Sequence, residues 1–156
     1  MVDGVVGGFL RSVAAGALIA ATLATAACGS ADPVTTYCKR VTVQSVDLGK
    51  DLDAGGRTSG LLTALPRFKD LAEVAPDDIA DDWATFIAAV EGLRDALARA
   101  RLQPGDMADG TFPEGLPAAD RKALLEASTE LDSTQVRDAA AAVEQHARDV
   151  CHQPLF

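Results

Sequence analysis

Three cysteines, a cluster of four aspartates and two histidines are the side chains of this 156-residue chain whose types and spacing suit chemistry. Thiols form disulfides or carry acyl groups, and an odd count leaves one of Cys28, Cys38 and Cys151 outside any pair within the chain. Asp77, Asp78, Asp81 and Asp82 are close enough in sequence to collect Ca2+ or Mg2+. At a helix N-terminus, however, the macrodipole favours the same residues without a metal, so neither a metal site nor a cofactor is expected. The stretch Asp51-x-Asp53-x-Gly55-Gly56 begins like a calcium loop, but Leu62 stands at the twelfth position, where a bidentate Glu is required. His146 and His152 lack the i, i+4 spacing of a zinc helix and have no Ser, His, Asp framework beside them. They are expected to be solvated or at a helix terminus, with Glu144 and Asp149 as ordinary face charges. No glycine-rich phosphate loop is present, and Trp83 and Phe86 belong to an apolar stripe rather than a ligand platform.

The first of the three cysteines follows an export-like segment. Arg11 precedes the uncharged stretch Ser12 to Ala27, which ends in small residues suited to a signal-peptidase groove. A transmembrane helix is the rival reading. It is disfavoured because the stretch is shorter than the roughly 20 apolar residues a span needs, and is diluted by Ala, Thr and Gly. Residues 1-27 are therefore expected to be a signal peptide, with an atypical start in which Asp3 offsets Arg11.

Ala26-Ala27-Cys28 resembles the bacterial lipobox, in which an aliphatic residue and two small residues precede the lipidated cysteine. Thr25 stands where that pattern most often has Leu. The resemblance implies that Cys28 is the lipidation site, followed by a short tether over 28-32 that opens with Gly29 and Ser30. Two or more acyl chains on one cysteine would give stable membrane retention. The alternative is an ordinary cut at Ala24-Thr25-Ala26 and a secreted protein. With Cys28 acylated, Cys38 and Cys151 are left to form a disulfide, as exported domains of this size commonly do; two buried free thiols are the other possibility.

Without residues 1-27 the chain has 129 residues, enough for one domain. Its net charge stays at -9, because the segment removes one acid, Asp3, and one base, Arg11. That acidity is expected to repel nucleic acid phosphates and anionic headgroups alike, and with no basic patch or aromatic-interleaved basic strip to override it nucleic acid is excluded as a partner. The domain, 33-156, reads as all-α, a single bundle of four to five helices tied by one disulfide. Val34, Tyr37, Cys38, Val41, Leu48 and Leu52 predict a helix from about Pro33 to Leu52, although Val41-Thr42-Val43 would also suit a strand. Asp53 to Gly60 is expected to break it, and Leu61 to Val74 to resume, with Pro66 kinking that segment or starting it afresh. Pro76 and the aspartates after it open a long third helix. Its stripe of Ile79, Trp83, Phe86, Val90, Leu93 and Leu97 ends before Pro104-Gly105. A loop from Gln103 to Pro117 precedes a shorter helix carrying Leu124 and Leu125. Asp132 and Gln135, three apart, predict a reciprocal cap for a last helix carrying Val136, Ala140, Val143, Ala147 and Val150. Pairing Cys38 with Cys151 then requires the first and last helices to be neighbours, with the third packing across both.

Tyr37-Cys38, Ala75 to Trp83 and Val143 to Cys151, together with the lipobox, resemble small helical lipoproteins abundant in actinobacteria. The resemblance implies a surface-attached, disulfide-tied helical domain and no particular chemistry. His152 follows the last cysteine where such proteins more often have Gly, a departure with no evident consequence in the sequence. The expected role is a non-enzymatic, membrane-anchored extracytoplasmic interaction or envelope-associated module. Its partners would be the membrane, through the lipid anchor, and a protein of the envelope, through a helix face or the Gln103 to Pro117 loop. The alternative is a carrier of a small apolar ligand or lipid between helices. An enzyme is the least favoured class, since no convergent set of titratable groups can be named.

Overall fold

A computed structural model describes residues 32–107 and 112–156. The expected signal peptide, Cys28 and most of the tether lie outside the described residues.

Five helices follow one another: α1 (Pro33–Asp53), α2 (Gly56–Ala72), α3 (Asp77–Ala100), α4 (Ala118–Leu131) and α5 (Thr134–Val150), with a 3-10 turn at Pro104–Met107. The first starts where its chemistry dictates. Asp32 accepts the Thr35 N–H at 2.8 Å, and Pro33 occupies a first-turn position where no N–H is needed. Val41-Thr42-Val43 is helical, because Tyr37, Val41, Gln44 and Leu48 form one buried stripe and that burial outweighs the β preference of a short branched run.

The second helix departs from expectation. Only Ala54 and Gly55 separate α1 from α2, so Arg57 to Gly60, expected in a break, are helical. Gly55 makes the turn at φ +77, and Gly60 lets the two helices meet. A Cβ at Gly60 would lie 2.0 Å from the Leu52 carbonyl oxygen, so only a glycine allows this approach. Pro66 neither ends nor restarts the helix, which runs unbroken to Ala72.

In α3 every residue of the anticipated stripe is buried, and Pro76 is its N-cap with Asp77 and Asp78 in the first turn. The helix stops at Ala100. Arg101 turns into the left-handed region (φ 57), the Leu102 N–H returns to the Leu97 carbonyl at 3.0 Å, and the Arg101 N–H returns to Ala98 at 3.1 Å. The cap of α5 is one residue later than expected. Ser133, not Asp132, accepts the Val136 N–H, at 3.2 Å, while Asp132 closes α4 and pairs with Arg57 at 3.0 Å.

The bundle is arranged around α3, which packs on α2, α4 and α5, while α1 lies along α2 and touches α5. The expectation that the third helix packs across the first and the last holds for α5; α3 reaches α1 through the Trp83 side chain, which meets Tyr37. Besides the Arg57–Asp132 pair, ion pairs join α2 to its neighbours from Arg67 to Asp51 of α1 at 2.6 Å and from Lys69 to Glu91 of α3. Such partly exposed pairs contribute at most about 1 kcal/mol each, so the apolar core carries the fold.

Candidate functional site at the α1–α5 seam

Cys38, one turn into α1, and Cys151, the residue that ends α5, are joined as a disulfide with Cα atoms 5.0 Å apart. The neighbouring ends of the first and last helices are thereby fixed. A structural disulfide is consistent with an extracytoplasmic location.

Beneath the disulfide, polar groups from three helices converge. Trp83 Nε1 donates to Tyr37 Oη at 3.3 Å, and neither side chain is exposed. The Tyr37 ring meets His146 edge-on, with ring centroids 5.7 Å apart. Burial pushes the Tyr37 phenol up to about 12; the Trp83 hydrogen bond works against the shift and the Glu144 charge adds to it. The phenol therefore stays protonated across the physiological range.

Glu144 corrects the expectation of an ordinary face charge; of the two places expected for His146, solvent or a helix terminus, it takes the second, near the end of α5, with its side chain turned in. Glu144 is buried and accepts two backbone N–H groups of the C-terminal tail at Oε2, Leu155 at 2.8 Å and Phe156 at 3.2 Å. Its other oxygen faces Arg148 Nε at 3.2 Å. The His146 side chain is 8% exposed, with Nδ1 3.5 Å from the Asp78 carboxylate at the surface. Its Nε2 and the Gln44 Oε1 are buried and meet no hydrogen-bond partner among the described residues. No period in the sequence marks Glu144. It is called inward by a tail that folds back and places Leu155 in the core and the Phe156 ring against Phe68 and Phe86.

The tail turns back at His152, which adopts a left-handed conformation (φ 56). The departure from Gly at this position thus has a backbone consequence, because glycine enters that region without a Cβ penalty and histidine does not. The Gln153 N–H bonds the Ala147 carbonyl at 3.2 Å and completes the turn.

No family model, curated protein or solved structure matches the chain. What stands is an all-helical small protein with the Cys38–Cys151 disulfide, without an identified family.

On its outer side the same seam carries a groove of about 620 Å³, open to solvent and lined by Val34, Cys38, Lys39, Val43 and Val150 among others. Val43 is 77% exposed and Val46, one turn on, 68%. These valines lie on the stripe of α1 that faces away from Tyr37, Val41 and Leu48. Sequence reading did not single them out, although their i, i+3 spacing off the core stripe is a signal that could have found them.

The acidic cluster does not assemble. Among the described residues no three His, Cys, Asp or Glu side chains are grouped as a metal site, and Asp78 is turned toward His146. Asp51 pairs with Arg67, and Asp53 ends α1, so the segment that begins like a calcium loop is mostly helix. No described helix is long and apolar enough to cross a membrane.

Proposed function

We propose that this protein is a lipid-anchored extracytoplasmic domain, held to the membrane by acyl chains on Cys28 once residues 1-27 are removed, and that it serves as a non-enzymatic interaction module of the envelope. The observation that carries this reading is the Cys38–Cys151 disulfide. It takes up two of the three cysteines and leaves Cys28, behind Ala26-Ala27, as the one available for acylation. The short distance in sequence from Cys28 to the N-cap Asp32 suits a domain tethered close to its anchor.

The exposed valines of α1 and the open groove beside them favour a docking module over a carrier. A carrier would need apolar space enclosed between helices, whereas this groove lies on the outer side of α1 and α5.

Fractionation of a bacterial host expressing the full chain tests the anchor. The protein should be in the detergent-extracted membrane fraction, and Cys28→Ala should move it to the soluble exported fraction. Unchanged membrane retention of the variant would overturn the assignment of Cys28.

A further inference from the structure

We infer that the outer stripe of α1, from Val34 to Val46, is the surface by which the domain rests on the bilayer, and that its ligand is an anionic lipid surface. The inference rests on the anchored reading and deepens it by assigning an orientation.

The first ground is charge. The chain is strongly acidic, with 23 acidic and 14 basic residues, yet no Asp or Glu occurs between Asp32 and Asp47. Lys39, in the wall of the outer groove, and Arg40 beside it in sequence are the charged residues within that stretch, so this part of α1 carries two positive charges and locally offsets the repulsion of anionic headgroups expected from a net charge of -9. A protein that must sit on anionic headgroups needs its acids elsewhere on the surface. Asp149, beside Val150 on α5, accepts a hydrogen bond from Gln145 at 2.7 Å.

The second ground is shape and polarity. Val43 and Val46 are largely exposed on one side of α1, Val150 adds a half-exposed apolar group from the end of α5, and Lys39 stands among them in the groove wall. An apolar strip beside a lysine, on a helix too polar to span, is the chemistry of an interfacial helix face. From Val34 to Val46 the stripe extends about 18 Å at the helical rise, enough to lie along the headgroup boundary.

The third ground is reach. Four residue steps separate Cys28 from Asp32, so the start of α1 lies within about 14 Å of an acylated Cys28. On so short a tether the domain cannot stand far from the bilayer, and α1 is the helix nearest to it along the chain.

Photocrosslinking of the full chain tests the orientation. Chains matured in a bacterial host carry p-benzoylphenylalanine in place of Val43 or, separately, of Leu125, which is 51% exposed on α4. They are reconstituted into phosphatidylglycerol–phosphatidylcholine vesicles. Lipid adducts at position 43 should exceed those at position 125 at least fivefold, and Lys39→Glu should lower the adducts at position 43 about fivefold. Equal yields at the two positions, or chain-to-chain adducts at position 43, would overturn the proposed face. The intact mass of the same samples reports acylation of Cys28 independently. An acylated chain without preferential adducts at position 43 retains the anchor and refutes the face. An unacylated chain that still gives those adducts on added vesicles refutes the anchor and retains the face, and an unacylated chain without them refutes both.

Discussion

Trp83 Nε1 donates to Tyr37 Oη at 3.3 Å, joining α3 to α1 at a point where neither side chain is exposed. With the one tryptophan and the one tyrosine of the chain in this contact, its state can be read optically. Trp83 emission should be blue-shifted in the folded protein, and Trp83→Ala should cost about 3 to 5 kcal/mol in a denaturant titration. Tyr37→Phe, which strands the buried indole N–H, should cost about 1 to 3 kcal/mol. Water-like emission from the folded state would contradict this packing.

The same tyrosine sets a pH dependence. Its folded value of about 12 lies above its ordinary value of 10.0, so the folded state holds the phenolic proton more tightly than the unfolded state does. The associated stability is intact below pH 10.0 and is lost as pH rises toward about 12. The slope over that window should be at most about 1.4 kcal/mol per pH unit. Tyr37→Phe should abolish this contribution. Tyrosinate absorbance of the native protein should follow the raised value, and titration at the ordinary value would refute the burial of Oη.

At Gly60 the backbone of α2 packs directly against that of α1. The Leu52 carbonyl lies 2.0 Å from the position of an added Cβ, and it is backbone that cannot swing aside. Gly60→Ala should therefore destabilise the fold by about 3 kcal/mol, although alanine is the better helix former. Thermal melts of this variant beside Gly92→Ala, where an added Cβ meets nothing within 4 Å, provide the comparison. Equal melting temperatures for the two would show that the helices do not pack at Gly60.

The disulfide closes a loop of 113 residue steps, for which chain entropy gives roughly 4 to 5 kcal/mol. Cys38→Ser with Cys151→Ser should lower the melting temperature markedly and leave the far-ultraviolet helical spectrum nearly unchanged, because the bridge acts largely on the unfolded chain. A large loss of helix at low temperature would mean that the bridge holds the native state itself together.

The core was legible where one periodicity ran without interruption. Ile79, Trp83, Phe86, Val90, Leu93 and Leu97 are buried as their spacing requires, and Cys38 and Cys151 are within disulfide reach. Sequence reading failed where a tertiary contact reversed a local preference. Gly60 is a breaker by propensity but the only residue that fits against Leu52, so the expected break became helix. Pro66 lies inside α2, whose Leu65, Phe68 and Leu71 are buried against the core and hold it helical. Asp132 and Gln135 have capping spacing, yet Ser133 is the N-cap, because α4 runs to Leu131 and takes Asp132 as its own C-cap. Glu144 was read as a face charge, and His146 as solvated or at a helix terminus, because their inward placement depends on the tail beyond Cys151 and on Tyr37, both distant in the helical pattern. The exposed valines Val43 and Val46 were not singled out, because Val43 was read only as part of the strand-like run Val41-Thr42-Val43 and the helical pattern was followed along the core stripe alone.

The acyl anchor is tested most directly by the intact mass of the full chain after expression in a bacterial host and extraction from its membranes. The account predicts a chain beginning at Cys28, heavier than its sequence by a diacylglyceryl group or by that group with a further acyl chain, and with the Cys38–Cys151 bridge intact. A chain with an unmodified Cys28, or with Cys28 in a disulfide to Cys38 or Cys151, would contradict it.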